Sequence, residues 1–186
     1  EGWFQRCFVV ASEVDRIGSG FFMAKLTLVL LDGVWRREST TAFSQVNWSA
    51  DYEYLDLPYD LPYDLGATPP QAYAMNPGHS GSPAKFIVYG PAVNPAIRLA
   101  GNLYQVDVTV PEGGRVEIDP LRRAVTEVLS DGTRIDAFSK AHRGNGAGSG
   151  EYIFERVPAG TSEISWDNSF GFDLTLYEEE GEPSWS

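Results

Sequence analysis

The chain carries a single cysteine, Cys7, among its 186 residues. That excludes an internal disulfide and a thiolate metal cluster, and it permits a reducing compartment. Basic charge is scarce: 14 Lys and Arg stand against 26 Asp and Glu, a formal net charge of −12. So acidic a chain does not bind nucleic-acid phosphates in general, because that binding needs clustered Lys and Arg. Long apolar runs are missing too. The most apolar stretch, Leu26 to Leu31, ends at Asp32, far short of the ~20 residues of a membrane span. Neither membrane insertion nor a signal peptide is expected. An opening at Glu1 rather than Met, running at once into a strand-like segment, leads to the expectation that further residues precede it.

Helical periodicity is also lacking. Outside a short stretch around Asp136 to His142, no segment repeats its apolar residues with the period of a helix. What is present instead is strand and turn chemistry: 13% aromatic residues with 19 Gly and 12 Pro. A chain of this length buries roughly 70% of the surface its unfolded form exposes, enough for a core without staples.

The last third organises the chain. Tyr104, Val106, Val108 and Val110 alternate with Gln105, Asp107 and Thr109, the period-two signature of a half-buried strand. Further strands are expected at Ala84–Tyr89, Arg115–Asp119, Ala124–Leu129, Thr133–Ala137, Glu151–Val157, Glu163–Trp166 and Phe170–Leu176. Gly90-Pro91, Asn94-Pro95 and Asp131-Gly132 mark turns. Earlier, Trp3–Val10, Phe21–Leu31 and Thr40–Val46 read as strands, with Glu13–Gly20 as a connecting loop and Asp32-Gly33 as a turn. In the second of these strands both faces are apolar. Phe22, Ala24, Leu26, Leu28 and Leu30 share one, while Phe21, Met23, Val29 and Leu31 share the other, as in a central strand or one buried at a subunit contact.

Between them, residues 47–83 change character. Leu57-Pro-Tyr-Asp60 and Leu61-Pro-Tyr-Asp64 form a direct repeat, and Pro69-Pro70 follows. Proline removes backbone donors, so this stretch should be extended and poorly paired. It reads as a linker, or as an aromatic arm whose tyrosines 52, 54, 59 and 63 grip a neighbouring subunit.

Catalytic patterns do not survive inspection. Gly78-His-Ser-Gly-Ser82 brushes against a hydrolase nucleophile elbow but has Ser82 where glycine is needed and prolines on both sides. The alternating glycines 144, 146, 148 and 150 lack a following helix start and a Lys-Ser/Thr pair, so a flexible hairpin loop is the better reading. His79 and His142 have no ligand partner at metal spacing and are placed in polar loops. Asp51, Glu53, Asp56, Asp60 and Asp64 lack the glycine-centred calcium loop, and Glu178-Glu-Glu180 reads as a solvated strand end. A carboxylate pair for glycoside hydrolysis has nothing to promote it. No enzyme, metal or cofactor is expected.

Five segments, in order, resemble the distal tail proteins of long-tailed, non-contractile bacteriophages, the siphophage tail-component family. They are Leu28-Val-Leu-Leu-Asp-Gly-Val-Trp-Arg-Arg-Glu38, Ile87-Val-Tyr-Gly-Pro-Ala-Val-Asn-Pro95 and Val116-Glu-Ile-Asp119 with Asp131-Gly132 after it. Phe154-Glu-Arg-Val-Pro-Ala-Gly160 with Ile164-Ser-Trp166 is the fourth, and Leu176-Tyr-Glu-Glu-Glu-Gly-Glu-Pro-Ser-Trp185 the last. The resemblance implies an all-β protein. Residues 1–46 would be the last strands of a ring-forming belt domain, 47–83 the crossing, and 84–186 a galectin-like antiparallel β-sandwich. The family's belt domain begins earlier than Glu1, so its opening strands and helix would be missing here.

The resemblance further implies a structural protein of the virion baseplate, a hexameric ring at the distal end of the tail. That ring joins the tail tube to the host-recognition tip, so its partners are other copies of itself, the tube protein, the tip hub and the tape-measure protein. An acidic chain suits a conduit that DNA passes without sticking. The competing reading is a carbohydrate-binding module for host surface polysaccharide, with the tyrosines of 47–83 as its platform. The residues proposed for subunit or partner contact are Phe21, Met23, Val29, Leu31, Tyr52, Tyr54, Tyr59 and Tyr63.

Overall fold

Fifteen strands and one 3-10 turn make up the computed structural model, which describes residues 2–45 and 72–182. Every strand pairing defined among them is antiparallel. The expected all-β class is what the chain adopts. By its contacts the chain divides into two units, Glu1–Ser39 with Tyr177–Ser186, and Thr40–Leu176.

The second unit is a β-sandwich. In chain order its strands are β4 (Ala72–Asn76), β5 (Ser82–Tyr89), β6 (Ala92–Val93), β7 (Ala96–Leu99), β8 (Asn102–Gln105), β9 (Thr109–Val110) and β10 (Arg115–Asp119). Then come β11 (Ala124–Val128), β12 (Arg134–Asp136), a 3-10 turn (Phe138–Lys140), β13 (Arg156–Val157) and β14 (Gly160–Ser165). Two longer strands, β3 (Trp35–Phe43) and β15 (Phe172–Glu180), belong to this unit through Thr40–Phe43 and Phe172–Leu176. One sheet runs β12-β11-β10-β5-β15-β3, with β13 added to β5, and the other runs β4-β14-β7-β8.

The burial alternation of Tyr104, Val106, Val108 and Val110 is realised, with Asp107 and Thr109 facing out, but the expected single strand is broken. β8 ends at Gln105 and only Thr109–Val110 resumes, as β9 paired with β6. Both sheets feed one core. Phe86, Phe172 and Leu174 enter from the larger sheet and Ile97, Leu99, Tyr104 and Ile164 from the smaller. Phe43 stacks on Phe172 at 4.9 Å, and Trp166, half-buried, meets the edge of both rings. Its indole N–H donates to the Phe170 carbonyl at 3.1 Å, which satisfies the polar end of a ring otherwise committed to the core.

Turn chemistry sets the register. Ala100 and Gly101 both take positive φ between Leu99 and Asn102, the backbone twist that suits a two-residue hairpin. Gly132 at φ +86 closes the Asp131-Gly132 turn, where the Asp131 carboxylate accepts from the Thr133 N–H at 2.8 Å.

Several local expectations change. The stretch 47–83 was to be poorly paired, yet β4 pairs along its whole length with β14 and β5 begins at Ser82. Asn76 explains the anchoring. Buried, it donates to the carbonyls of Ser80, Val157 and Pro158 and accepts from the Gly78 N–H, so a polar side chain closes the loop around His79. Glu151–Val157 is a strand only at Arg156–Val157; before that, the Glu155 N–H turns back to the Tyr152 carbonyl. The expected helix shrinks to the 3-10 turn, whose first N–H is taken by Asp136.

In the first unit, β1 (Cys7–Gly18) and β2 (Phe21–Leu30) form a hairpin. The expected loop Glu13–Gly20 is strand as far as Gly18, and only Ser19 and Gly20 turn. Glu178 and Glu179 are also not a solvated strand end. Arg37 and Arg36 hold them at 2.6 and 2.9 Å, and Arg36 reaches Asp32 at 2.8 Å as well. Side chains only 12% and 14% exposed are satisfied here because arginines supply the bonds that water would.

Candidate interaction surface

Among the described residues, the exposed large apolar side chains concentrate on the hairpin. Its cross-strand partners are Cys7↔Leu30, Val9↔Leu28, Ser12↔Leu26, Val14↔Ala24 and Ile17↔Phe22, interleaved with Phe8↔Val29, Ala11↔Thr27, Glu13↔Lys25 and Arg16↔Met23. Partners in a ladder project to the same face. The first set is apolar but for Ser12. The second is broken by Glu13, Arg16, Lys25 and Thr27. Register shifts between Val9 and Ala11 and between Val14 and Arg16 bring Val9, Val14 and Ile17 onto one side although their sequence spacing is uneven.

All of these large apolar side chains are exposed. Phe22 is 65% accessible, Leu26 56% and Ile17 78%. An isolated two-stranded ribbon is marginal in water, and a run of exposed apolar side chains on one face makes this a candidate interaction surface.

Of the contact residues expected from the sequence, Phe21, Met23 and Val29 lie exposed on β2 and Leu31 exposed just after it. Phe21, Met23 and Val29 share the face that Glu13, Arg16 and Lys25 interrupt. The more apolar face is that of Phe22, Leu26, Leu28 and Leu30, which the sequence displayed as a period-two set without distinguishing it from its opposite. Tyr52, Tyr54, Tyr59 and Tyr63, with Asp51, Glu53, Asp56, Asp60 and Asp64, lie outside the described residues. Cys7 is exposed at the end of β1.

The remaining candidates stay apart from this surface in the sequence and do not form a reactive group. His79 lies exposed in its loop. His142 Nε2 meets Asp107 Oδ2 at 3.0 Å, and Gln105 donates to the other oxygen at 2.9 Å. The Gln105 bond and then the His142 bond hold the Asp107 carboxyl below its ordinary range. The Gly144–Gly150 loop is tied down by a bond from the Gly148 N–H to the Glu155 carboxylate and one from the Leu103 N–H to the Gly150 carbonyl. Among the described residues no group of three or more His, Cys, Asp and Glu is placed to hold a metal, and no helix is long and apolar enough to cross a membrane.

No protein-family model matches the chain, and no curated protein does. Among solved structures its fold is similar to that of the SPP1 Dit (gp 19.1) protein, a paradigm of the hub adsorption apparatus in phages that infect Gram-positive bacteria. The TM-score is 0.51 at 10% sequence identity, over 94% of this chain and 59% of that one. The chain thus spans less than two thirds of the Dit protein's length. At such identity the likeness is one of fold.

Proposed function

We propose that this chain is a structural protein of a phage tail, a distal tail component of the hub to which the tip is attached. The observation that carries the reading is the fold likeness to a hub adsorption protein across 94% of the chain. The ordered sequence resemblance points the same way. On this reading the protein works in the virion, without catalysis. Copies assemble into a hexameric ring that joins the tail tube to the tip and surrounds the path of the tape-measure protein and DNA. Residues 1–46 are the closing strands of the ring-forming domain, and residues 84–186 a galectin-like sandwich carried on it.

The exposed hairpin supports this division of labour. A ring needs apolar surface that the monomer leaves uncovered, and the two faces of β1–β2 supply it. Negative-stain electron microscopy of the purified protein tests the reading directly. A ring is expected. A protein that stays monomeric at high concentration and is missing from purified virion tails would sink the proposal.

A further inference from the structure

The outward face of the larger sheet, at the β11–β12 edge of the sandwich, holds a groove of about 440 Å³, within the range of small-molecule sites. Its chemistry differs from the rest of an acidic chain. Arg123 and Arg134 line it together with the polar Thr126 and Asp136 and the apolar Ile135 and Phe138. The register explains the meeting: Thr126 pairs with Asp136 and Val128 with Arg134. Arg123 enters from the β10–β11 turn.

Each polar group has capacity left over. Arg134 gives Nη2 to Glu117, which Arg115 also bonds, so that carboxylate is already shared between two guanidiniums. The other N–H groups of Arg134 remain. Arg123 has no hydrogen-bond or ion-pair partner among the described residues, although its neighbour Arg122 pairs with Asp119. Arg123 sits at φ +51 within the β10–β11 turn. Asp136 accepts the Phe138 N–H with one oxygen and keeps the other. The Phe138 ring is fixed between Phe154, stacked at 6.0 Å, and the Arg143 guanidinium at 5.1 Å.

We propose that this groove binds a small anionic, hydroxyl-bearing ligand, a sugar or polyol carrying a phosphate or carboxylate. Two guanidiniums receive the anionic group, Asp136 and Thr126 receive hydroxyls, and Ile135 with the edge of the Phe138 ring meets carbon–hydrogen surface. A polyanion such as nucleic acid is disfavoured by Asp136 and by the net charge of −12. Strand addition at the β12 edge is disfavoured because that edge has three residues, two of them charged. The site is independent of the tail assignment, since it rests on the groove alone.

The test is amide NMR of the full chain titrated with glycerol 3-phosphate, glucuronate, glucose and, as a screening control, sodium chloride. At least one of the two anions should give saturable shifts at Ala124, Thr126, Arg134 and Asp136. Saturation by glycerol 3-phosphate alone assigns phosphate as the anchor, and by glucuronate alone carboxylate. Arg123→Gly suits the backbone at φ +51, so it should fold and lose affinity roughly tenfold. Arg98→Ala, on the other sheet, should bind as the parent does. The proposal is overturned by shifts that track salt alone, by an equal response to glucose, by undiminished binding in Arg123→Gly, or by no saturable shift with either anion. Tighter binding of an oligonucleotide on the same residues would overturn it as well.

Discussion

Phe86 of β5 and Tyr104 of β8 place their ring centroids 4.7 Å apart, one ring from each sheet of the sandwich, and both are almost wholly inaccessible. The pair is where the two layers are locked together. The Tyr104 hydroxyl passes through the core to donate to the Glu155 carbonyl at 3.0 Å, which ties the irregular segment before β13 to the interior.

Truncating Phe86→Ala should therefore cost about 3–5 kcal/mol, the range for a buried aromatic that leaves a cavity. Tyr104→Phe keeps the ring but strips the Glu155 carbonyl of its partner, a loss of about 1–2 kcal/mol. Urea unfolding followed by tryptophan fluorescence should order the two variants that way. Equal losses would mean that the ring packing contributes no more than the hydroxyl's single bond to Glu155.

The same hydroxyl predicts an alkaline weakness. Burial, and then the nearby Glu155 charge, hold its pKa well above the ordinary value of 10.0. The folded state thus keeps this proton where the unfolded state, ionising near its ordinary value, releases it. Stability is full below about pH 10 and falls as pH rises, by up to about 1.4 kcal/mol per unit for this one group. Tyr89 is raised too, chiefly by its bond to Asp173, and adds in the same direction. Denaturant midpoints measured between pH 9 and 11 should fall less steeply in Tyr104→Phe than in the parent. Parallel curves would rule the account out.

Asn76→Ala should destabilise by about 1–3 kcal/mol, because the Ser80, Val157 and Pro158 carbonyls lose a shared donor inside the fold. Asn76→Asp should be worse, since it removes the donor and buries a charge among carbonyls. Thermal melts of the two variants provide the comparison. An unchanged melting temperature in Asn76→Ala would show that these groups are satisfied without it.

On the hairpin, Leu26→Lys with Leu28→Lys should abolish self-association while leaving folding within about 0.5 kcal/mol, because both side chains are exposed. Met23→Lys, on the face already carrying Arg16, Glu13 and Lys25, should weaken association less. Sedimentation velocity across a concentration series separates the two. A larger effect from Met23→Lys would identify the mixed face as the contact.

Glu117→Gln should reduce stability at neutral pH only slightly, because Arg115 and Arg134 are about half exposed and water screens both pairs. Burial pushes the Glu117 carboxyl up, but the bonds and charges of the two arginines outweigh it and hold the group below 4.5. Its contribution is present above that value and is lost as pH falls through the lowered one. Acid unfolding of Glu117→Gln should start from a slightly lower plateau and show a shallower decline.

Strand alternation was legible in the sequence wherever one face of a strand met the core. Tyr104, Val106, Val108 and Val110 are such a set, and Arg115–Asp119 was delimited to the residue. Period two is a local property, so seven residues suffice to display it. The two-faced character of Phe21–Leu31 was equally visible. Which face is the more apolar was not, because that depends on partners in β1 and on two register shifts that sequence spacing does not reveal.

By itself, then, the amino-acid order determined the all-β class, most strand positions and the turn at Asp131-Gly132. These follow from backbone preferences and side-chain periods that act over a few residues. Tertiary structure alone decided that Glu178 and Glu179 are nearly buried by Arg37 and Arg36, 141 and 143 residues away. It also decided that Asn76 reaches Val157, and that Arg123, Thr126, Arg134 and Asp136 line one groove. Charges and hydrogen-bonding groups act on whatever lies within a few ångströms, and only the folded sheets determine which residues those are.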